Sequence, residues 1–454
     1  MTTQPRLVLT IAVVASFVSF LDGTVVNVAL PAIVDELGGG ISTQQWTVDA
    51  YLISLGALML VAGSVSDTYG RLRVLRWGLI GFALTSIAIA LAPTATFLIV
   101  ARLLQGVAGA MLVPSSLALI TSTFRGPAQA KAIGTWTAAT STAMIIGPIV
   151  GGLFVDFASW RWVFLINVIP VGATLWMMGR LAQRDVRNPD GRIDIISAVL
   201  CAAGLGGMVY ALIEEPMLGW THPGVWATGL AGVAAFAAFL IRQTQVEQPM
   251  LPLTLFRERN FAWGNGATFL IYGALALNGF VVAVYLQEGA GLSATAAGLA
   301  SLPITILMIA LSSRVGAWAG RHGSRLFMTV GPVTMAAGAL LMLTVSADFN
   351  YWWQVLPGMI LFGLGLTLTV TPLTSTILAA VPSERAGIAS ATNNAISRVA
   401  GLVAVALVGA VVGGVLDLGG FHRAMWATAI LMAAGGMVSW LGIRNTAAHE
   451  QPTR

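Results

Sequence analysis

Apolar runs of about 20 residues follow one another along almost the whole chain, parted by short polar breaks, and that is the length of helix that crosses a bilayer. Only 9% of the 454 residues are Asp, Glu, Lys or Arg, while 57% are apolar. Soluble domains carry about 25% charged residues, so this chain cannot build an ordinary water-facing surface. The runs fall at residues 7–32, 46–65, 74–92, 97–124, 132–155, 162–178, 195–213, 224–241, 261–286, 296–315, 326–345, 353–380, 387–415 and 424–443. Fourteen spans need about 280 residues, which leaves short loops and little over for a soluble catalytic domain. The expected fold is an all-α polytopic membrane protein of 14 transmembrane helices. The first run continues through Asp22 to Pro31 with no Ala-x-Ala cleavage pattern, so it reads as a retained span.

The longest polar breaks, 180–194 and 242–260, bracket the middle pair of spans. The expected organisation is a six-helix bundle over 1–180, a linker with two inserted helices over 181–259, and a second six-helix bundle with a short tail over 260–454. Nineteen of the 23 Lys and Arg fall in segments on the N-terminal side of the membrane, Arg71, Arg73 and Arg76 among them. That bias predicts both termini in the cytoplasm of a bacterial inner membrane. Nucleic acid is excluded as a partner, because the basic residues are scattered over these short loops. The single cysteine, Cys201, excludes an internal disulfide, and His222, His322, His422 and His449 make no metal-binding spacing. Lys131 is the sole lysine and belongs to no phosphate-binding glycine loop, so ATP-driven transport on this chain is excluded.

An internal repeat emerges when the halves are overlaid. Leu21-Asp22-Gly23 matches Leu277-Asn278-Gly279 at an offset of 256, Gly70 matches Gly323, Gly106 matches Gly363, and Pro114 matches Pro372. Duplicated halves are a transporter signature, with substrate handled where the repeats meet.

Several charges sit where lipid would make them costly, and such residues are functional candidates by default. Asp22 lies 15 residues into the first span, about 22 Å up. Arg102 lies five residues into the fourth, which descends, so both sit about 8 Å below the outer face of a core about 30 Å thick. Arg102, Gln105, Gly106 and Gly109 share one helical face. Arg102 is either a coupling residue or a side chain that snorkels to the outer surface. Arg398 lies about 16 Å into the thirteenth span, and its candidate partners are backbone carbonyls, water, Asn393, Asn394, the first half or substrate. Asp49, near the start of the second span, is expected as a helix N-terminal dipole partner rather than a substrate ligand. In the turn Gly63 to Arg73, Gly70 supplies the permissive backbone, and Asp67 is either a gate residue or part of a solvated turn. Ala143, Gly147 and Gly151 form a small-residue stripe that permits close packing, and Pro148 removes one helical hydrogen bond.

Leu21-Asp22-Gly23-Thr24-Val25-Val26-Asn27-Val28-Ala29-Leu30-Pro31 resembles the first-span signature of the fourteen-span drug:proton antiporters of the major facilitator superfamily. Trp46 to Leu52, Gly63 to Arg73, Arg102-Leu103-Leu104-Gln105-Gly106, Gly147-Pro148-Ile149-Val150-Gly151-Gly152 and Trp160 to Asn167 extend the resemblance. It implies a proton-coupled exporter of lipophilic drugs or natural products, driven by the proton gradient with no cofactor and no obligate protein partner. Asp22 and Arg102 are then the proton-coupling pair. Asn27, Gln105, Asn278, Asn393, Asn394 and Arg398 line the substrate cavity. Asp67, Gly70, Arg71, Arg73, Gly147, Pro148, Gly151 and Gly152 serve gating. The alternatives are an importer or uniporter in the same fold, or an integral-membrane transferase. The transferase would want clustered acids or a His/Asp set at one membrane face, which this chain lacks.

Overall fold

The computed structural model describes residues 3–181, 185, 194–247, 249–382 and 385–445, and no strand occurs among the described residues. The first half holds α1 (Thr3–Val25), α2 (Leu30–Leu37), α3 (Gly40–Tyr69), α4 (Arg71–Ala90), α5 (Ala95–Thr123), α6 (Gly126–Phe157), α7 (Arg161–Leu165) and α8 (Val168–Gly179). A middle pair follows, α9 (Ile195–Leu218) and α10 (Pro223–Gln243). The second half holds α11 (Arg259–Glu288), α12 (Ala294–Ala300), α13 (Leu302–His322), α14 (Ser324–Leu341), α15 (Leu356–Ala379), α16 (Ala386–Ala406), α17 (Val408–Val412) and α18 (Leu418–Gly442). Eleven helical segments among the described residues are long and apolar enough to cross a membrane. This is a multi-pass membrane protein.

The chain divides into two compact units. One comprises Met1–Leu251 with Gly279–Leu299 and Leu402–Asp417; the other comprises Pro252–Asn278, Ala300–Gly401 and Leu418–Arg454. The division follows packing rather than chain order, so the C-terminal part of α11, most of α12, the last turn of α16 and all of α17 belong to the first unit.

Within the first unit the core is built where α1, α3, α4, α5 and α8 meet, from Val8, Ile11, Val18, Tyr51, Leu79, Phe82, Leu112 and Val171. Glycine sets how closely two of these helices approach. A Cβ on Gly106 of α5 would collide with the Tyr51 carbonyl oxygen and Ser54 Oγ of α3. Its repeat partner in the second unit, Gly363 of α15, is pressed likewise on α13, where a Cβ would lie 2.7 Å from Ile304 Cα. The two matched glycines thus make the same helix contact in each half. Gly106→Val is therefore expected to prise α5 from α3, an overpacking cost of about 1–3 kcal/mol. It should appear as a lower melting temperature of the purified protein in detergent; an unchanged melt would contradict this packing.

The matched turn glycines behave in parallel too. Gly70 has φ +102° and ends α3 while starting α4; Gly323 has φ +86° and does the same between α13 and α14. Left-handed φ of this kind favours glycine. Each turn is closed by a side chain from a distant segment. Asp185 accepts from the N–H groups of Leu72 (3.1 Å) and Arg73 (3.0 Å), and Asn445 accepts from that of Arg325 (3.0 Å).

The middle pair is packed through small residues: a Cβ on Gly232 of α10 would lie 2.6 Å from the Met208 nitrogen of α9. Asp194 caps α9 at Ser197 N and pairs with Arg242 of α10 at 3.0 Å. Burial alone would raise the Asp194 carboxyl, but its bonds from Ser197 and Arg242 outweigh that and hold it below the usual carboxylate range. At the other end of the pair, Trp46 Nε1 of α3 donates to Glu214 of α9 at 2.9 Å. The inserted helices are therefore tied to the first bundle through α3.

Candidate functional site

Five segments converge on one buried polar cluster. Arg102 projects from α5 one turn before Gly106, where the close approach to α3 brings it against Thr47 and Tyr51. Its Nη1 donates to Asp22 Oδ2 of α1 at 2.6 Å and to Gln105 Oε1 at 2.6 Å, and its Nε donates to the Thr47 carbonyl at 2.9 Å. The guanidinium carbon lies 4.4 Å from the centroid of the Tyr51 ring and 5.6 Å from that of Phe164, in cation–π reach. Asp22 Oδ1 accepts from Asn167 Nδ2 at 3.0 Å and from Gln105 Nε2 at 3.2 Å. Gln105 also donates to Ser86 Oγ of α4 at 2.9 Å. Asp22, Thr47, Ser86, Arg102, Gln105 and Asn167 are all fully buried.

The chemistry is that of a buried, hydrogen-bonded ion pair. Every polar contact on Asp22 is an N–H, so the carboxylate acts purely as acceptor. One guanidinium nitrogen, Nη2, has no hydrogen-bond partner among the described residues. A buried pair of this kind costs desolvation that its hydrogen bonds only partly offset, and losing either member leaves an uncompensated charge.

The sequence places Arg102 and Gln105 on one face, and the structure joins both to Asp22. The Gln105 amide bonds Asp22, Arg102 and Ser86. Asn167, Ser86, Thr47 and Tyr51 were not singled out as site residues. Asn167 closes the motif that starts at Trp160, which was the one signal available for it. Asn393 of α16 donates to Asn265 Oδ1 at 3.0 Å and Thr268 Oγ1 at 2.9 Å, both on α11, while Asn394 bonds Ser390 of its own helix. Asn278 is buried in α11, Asn27 is half-buried in a 3₁₀ turn after α1, and Arg398 is half-buried in α16 with its charge felt at Tyr272.

One expectation is overturned. Asp49 does not sit at a helix N-terminus: α3 begins at Gly40, so Asp49 is in its third turn and fully buried.

Of the gating candidates, the Asp67 side chain lies outside the described residues. Arg71 donates to the Ala118 carbonyl at 3.1 Å, Arg73 is held through its backbone by Asp185, and Gly70 makes the turn. The α6 stripe is packed on two sides. A Cβ on Gly151 would lie 2.7 Å from Val28 Cγ2 and 2.8 Å from the Val25 carbonyl oxygen, and one on Gly147 would strike Thr24. On Gly152 it would lie 2.6 Å from the Ala294 carbonyl oxygen of α12, while one on Gly298 would strike the Pro148 carbonyl. Asp156 then caps α12, accepting from Ala294 N at 3.0 Å and Thr295 N at 2.8 Å. Nearby in the chain, Arg161 and Trp160 Nε1 both bond Glu36, at 2.5 and 2.7 Å. The Arg161 bond, with help from Trp160, holds the Glu36 carboxyl below its usual range.

The all-helical fold has counterparts among solved structures. The fold matches a peptide transporter, POT, in complex with sulfate at TM-score 0.72 and 12% identity, covering 96% of this chain and 94% of that one. It also matches a bacterial homologue of the human lysosomal transporter Spinster at TM-score 0.68 and 14% identity, covering 97% of each chain. A model of the Major Facilitator Superfamily matches residues 12–405, and the chain belongs to that family. It is 32% identical to the methylenomycin A resistance protein of Bacillus subtilis (strain 168), over 89% of this chain and 87% of that protein. It is equally 32% identical to the tetracenomycin C resistance and export protein of Streptomyces glaucescens, over 91% and 77% respectively. The family and fold are those of membrane transporters rather than enzymes.

Proposed function

We propose that this chain is a fourteen-span drug:proton antiporter that exports small lipophilic molecules across the bacterial inner membrane by alternating access. The observation that carries this is the sealed Asp22–Arg102 pair with Gln105 and Asn167 closed around it. Asp22 is the proposed carrier of the coupled proton and Arg102 its partner, with alternating access parting and rejoining the two. No cofactor beyond the proton gradient and no obligate protein partner is required.

The eleven qualifying segments become fourteen spans when α3, α6 and the α16–α17 pair are added. On this reading residues 1–180 and 260–454 are the two six-helix bundles, 181–259 carries the inserted pair, and the distribution of Lys and Arg supports cytoplasmic termini. The packing of Gly147, Gly151 and Gly152 supports export over import, as do relatives named for resistance to methylenomycin A and tetracenomycin C. Asn27 and Gln105 in the first unit, and Asn278, Asn393, Asn394 and Arg398 in the second, are the residues proposed to meet substrate. The turn at Asp67, Gly70, Arg71 and Arg73 closes the inner mouth.

Expression in a bacterial strain stripped of its own efflux pumps, challenged with a panel of lipophilic antibiotics, is expected to give growth protection that an uncoupler cancels. Protection that persists after uncoupling, or none with any compound despite membrane insertion, would overturn the proposal.

A further inference from the structure

Asp49 lies outside the Asp22–Arg102 network. Asp49 is fully buried in α3, and both its carboxylate oxygens lack a hydrogen-bond partner among the described residues. So does Gln45 Oε1, which is also buried and lies one helical turn earlier on the same stripe. Three acceptor atoms without a donor therefore line one stripe of α3. The position is nine residues past Gly40, about 13 Å along the axis, beyond the first turn where a helix N-terminus stabilises an acid.

The surroundings of the stripe follow from its neighbours, all within the first compact unit. Gln45 Nε2 donates to the carbonyls of Val405 (2.7 Å) and Ala406 (2.9 Å), the last turn of α16. A Cβ on Gly409 of α17 would lie 3.2 Å from Gln45 Oε1 and 3.3 Å from Pro216 Cγ of α9. Ile53, one turn after Asp49, is the nearest side chain to Gly206 of α9. Asp49 thus sits on the α3 face that meets α9 and the break between α16 and α17. The titratable groups of α9 are Cys201, buried nearer its start, Tyr210, whose ring packs on Trp46, Glu214, engaged by Trp46 and Ser42, and Glu215 beside it. Residues 402–412 carry none. Arg102 is committed on the opposite face, to Thr47 and Asp22.

An ionised carboxylate buried without any donor is strongly disfavoured, and the group neutralises instead. A proton also resolves the second orphan, since a protonated carboxyl offers one O–H and Gln45 Oε1 is an acceptor one turn away. We infer that Asp49 and Gln45 form a second proton-binding site, distinct from Asp22 and occupied in this conformation. Because the ionised form cannot stay buried against α16 and α17, release of this proton and opening of that contact go together. This last role rests on the proton-coupled reading above; the bound proton does not.

The two are separated by infrared spectroscopy of the full-length protein in nanodiscs at neutral pH, with isotope-labelled aspartate. The wild type is expected to show the C=O band of a protonated aspartic acid, which disappears in Asp49→Asn and persists in Asp22→Asn. Gln45→Leu keeps the carboxyl and should move the band to higher frequency by removing its acceptor, so the test stands even if Asp49→Asn folds poorly. A labelled band absent from the wild type, or unmoved by both Asp49→Asn and Gln45→Leu, would refute the site. A carboxylate that carries a metal cation gives no such band and would refute it equally. None of these outcomes depends on whether transport is proton-coupled.

Discussion

Arg102→Met is expected to destabilise the protein by about 3–5 kcal/mol and to abolish transport, because it leaves the Asp22 charge buried without its counter-ion. Asp22 would keep the N–H bonds from Gln105 and Asn167, but neither carries a positive charge. The Tyr51 ring and the Thr47 carbonyl would also lose their partner. The double variant Asp22→Asn/Arg102→Met removes both charges and should recover much of that stability without recovering uphill transport. Denaturation of purified protein in nanodiscs measures the three variants as a cycle. A loss below about 1 kcal/mol for Arg102→Met, the size of an exposed pair, would show that the network is not sealed as described.

Asp22→Asn is expected to separate binding from coupling. The asparagine keeps the shape of the side chain and can still accept from Arg102, so the packing of α1 on α5 persists. It cannot exchange a proton. Substrate binding, followed by tryptophan fluorescence, should therefore survive, while accumulation against a substrate gradient stops. Loss of binding together with transport would make Asp22 a ligand for substrate rather than the coupling residue.

Much of this site was legible because its chemistry is short in range along each helix. A count of 1.5 Å per residue puts Asp22 and Arg102 at one depth, and in the structure their charged atoms lie 2.6 Å apart. Gln105 follows from helical periodicity. Its partners do not, since an amide can serve substrate or carboxylate equally well, and only the packing of α1, α4 and α5 decides. Asn167 comes from a short break between α7 and α8, 145 residues after Asp22; the motif from Trp160 marks it, but nothing local shows that its partner is Asp22.

The turns divide in the same way. Gly70 and Gly323 were found through the repeat because glycine at positive φ is a local demand. Asp185 and Asn445, which close those turns, come from segments beyond the bundles and left no periodic trace. The stretch Gly40–Gln45 is polar and reads as loop, yet it forms the first turns of α3, because Gln44 and Gln45 find partners in Glu288 and in the carbonyls of α16. A polar helix end buried by distant segments carries no apolar signature.

The most direct test of proton-coupled export is proton movement in proteoliposomes loaded with a pH-sensitive dye. With a substrate identified from the antibiotic panel, imposing a substrate gradient on the wild type should drive protons the opposite way across the membrane. The Asp22→Asn protein, reconstituted to the same density, should exchange substrate without moving them. Substrate flux by the wild type with no accompanying pH change, or an undiminished pH change in Asp22→Asn, would contradict the account.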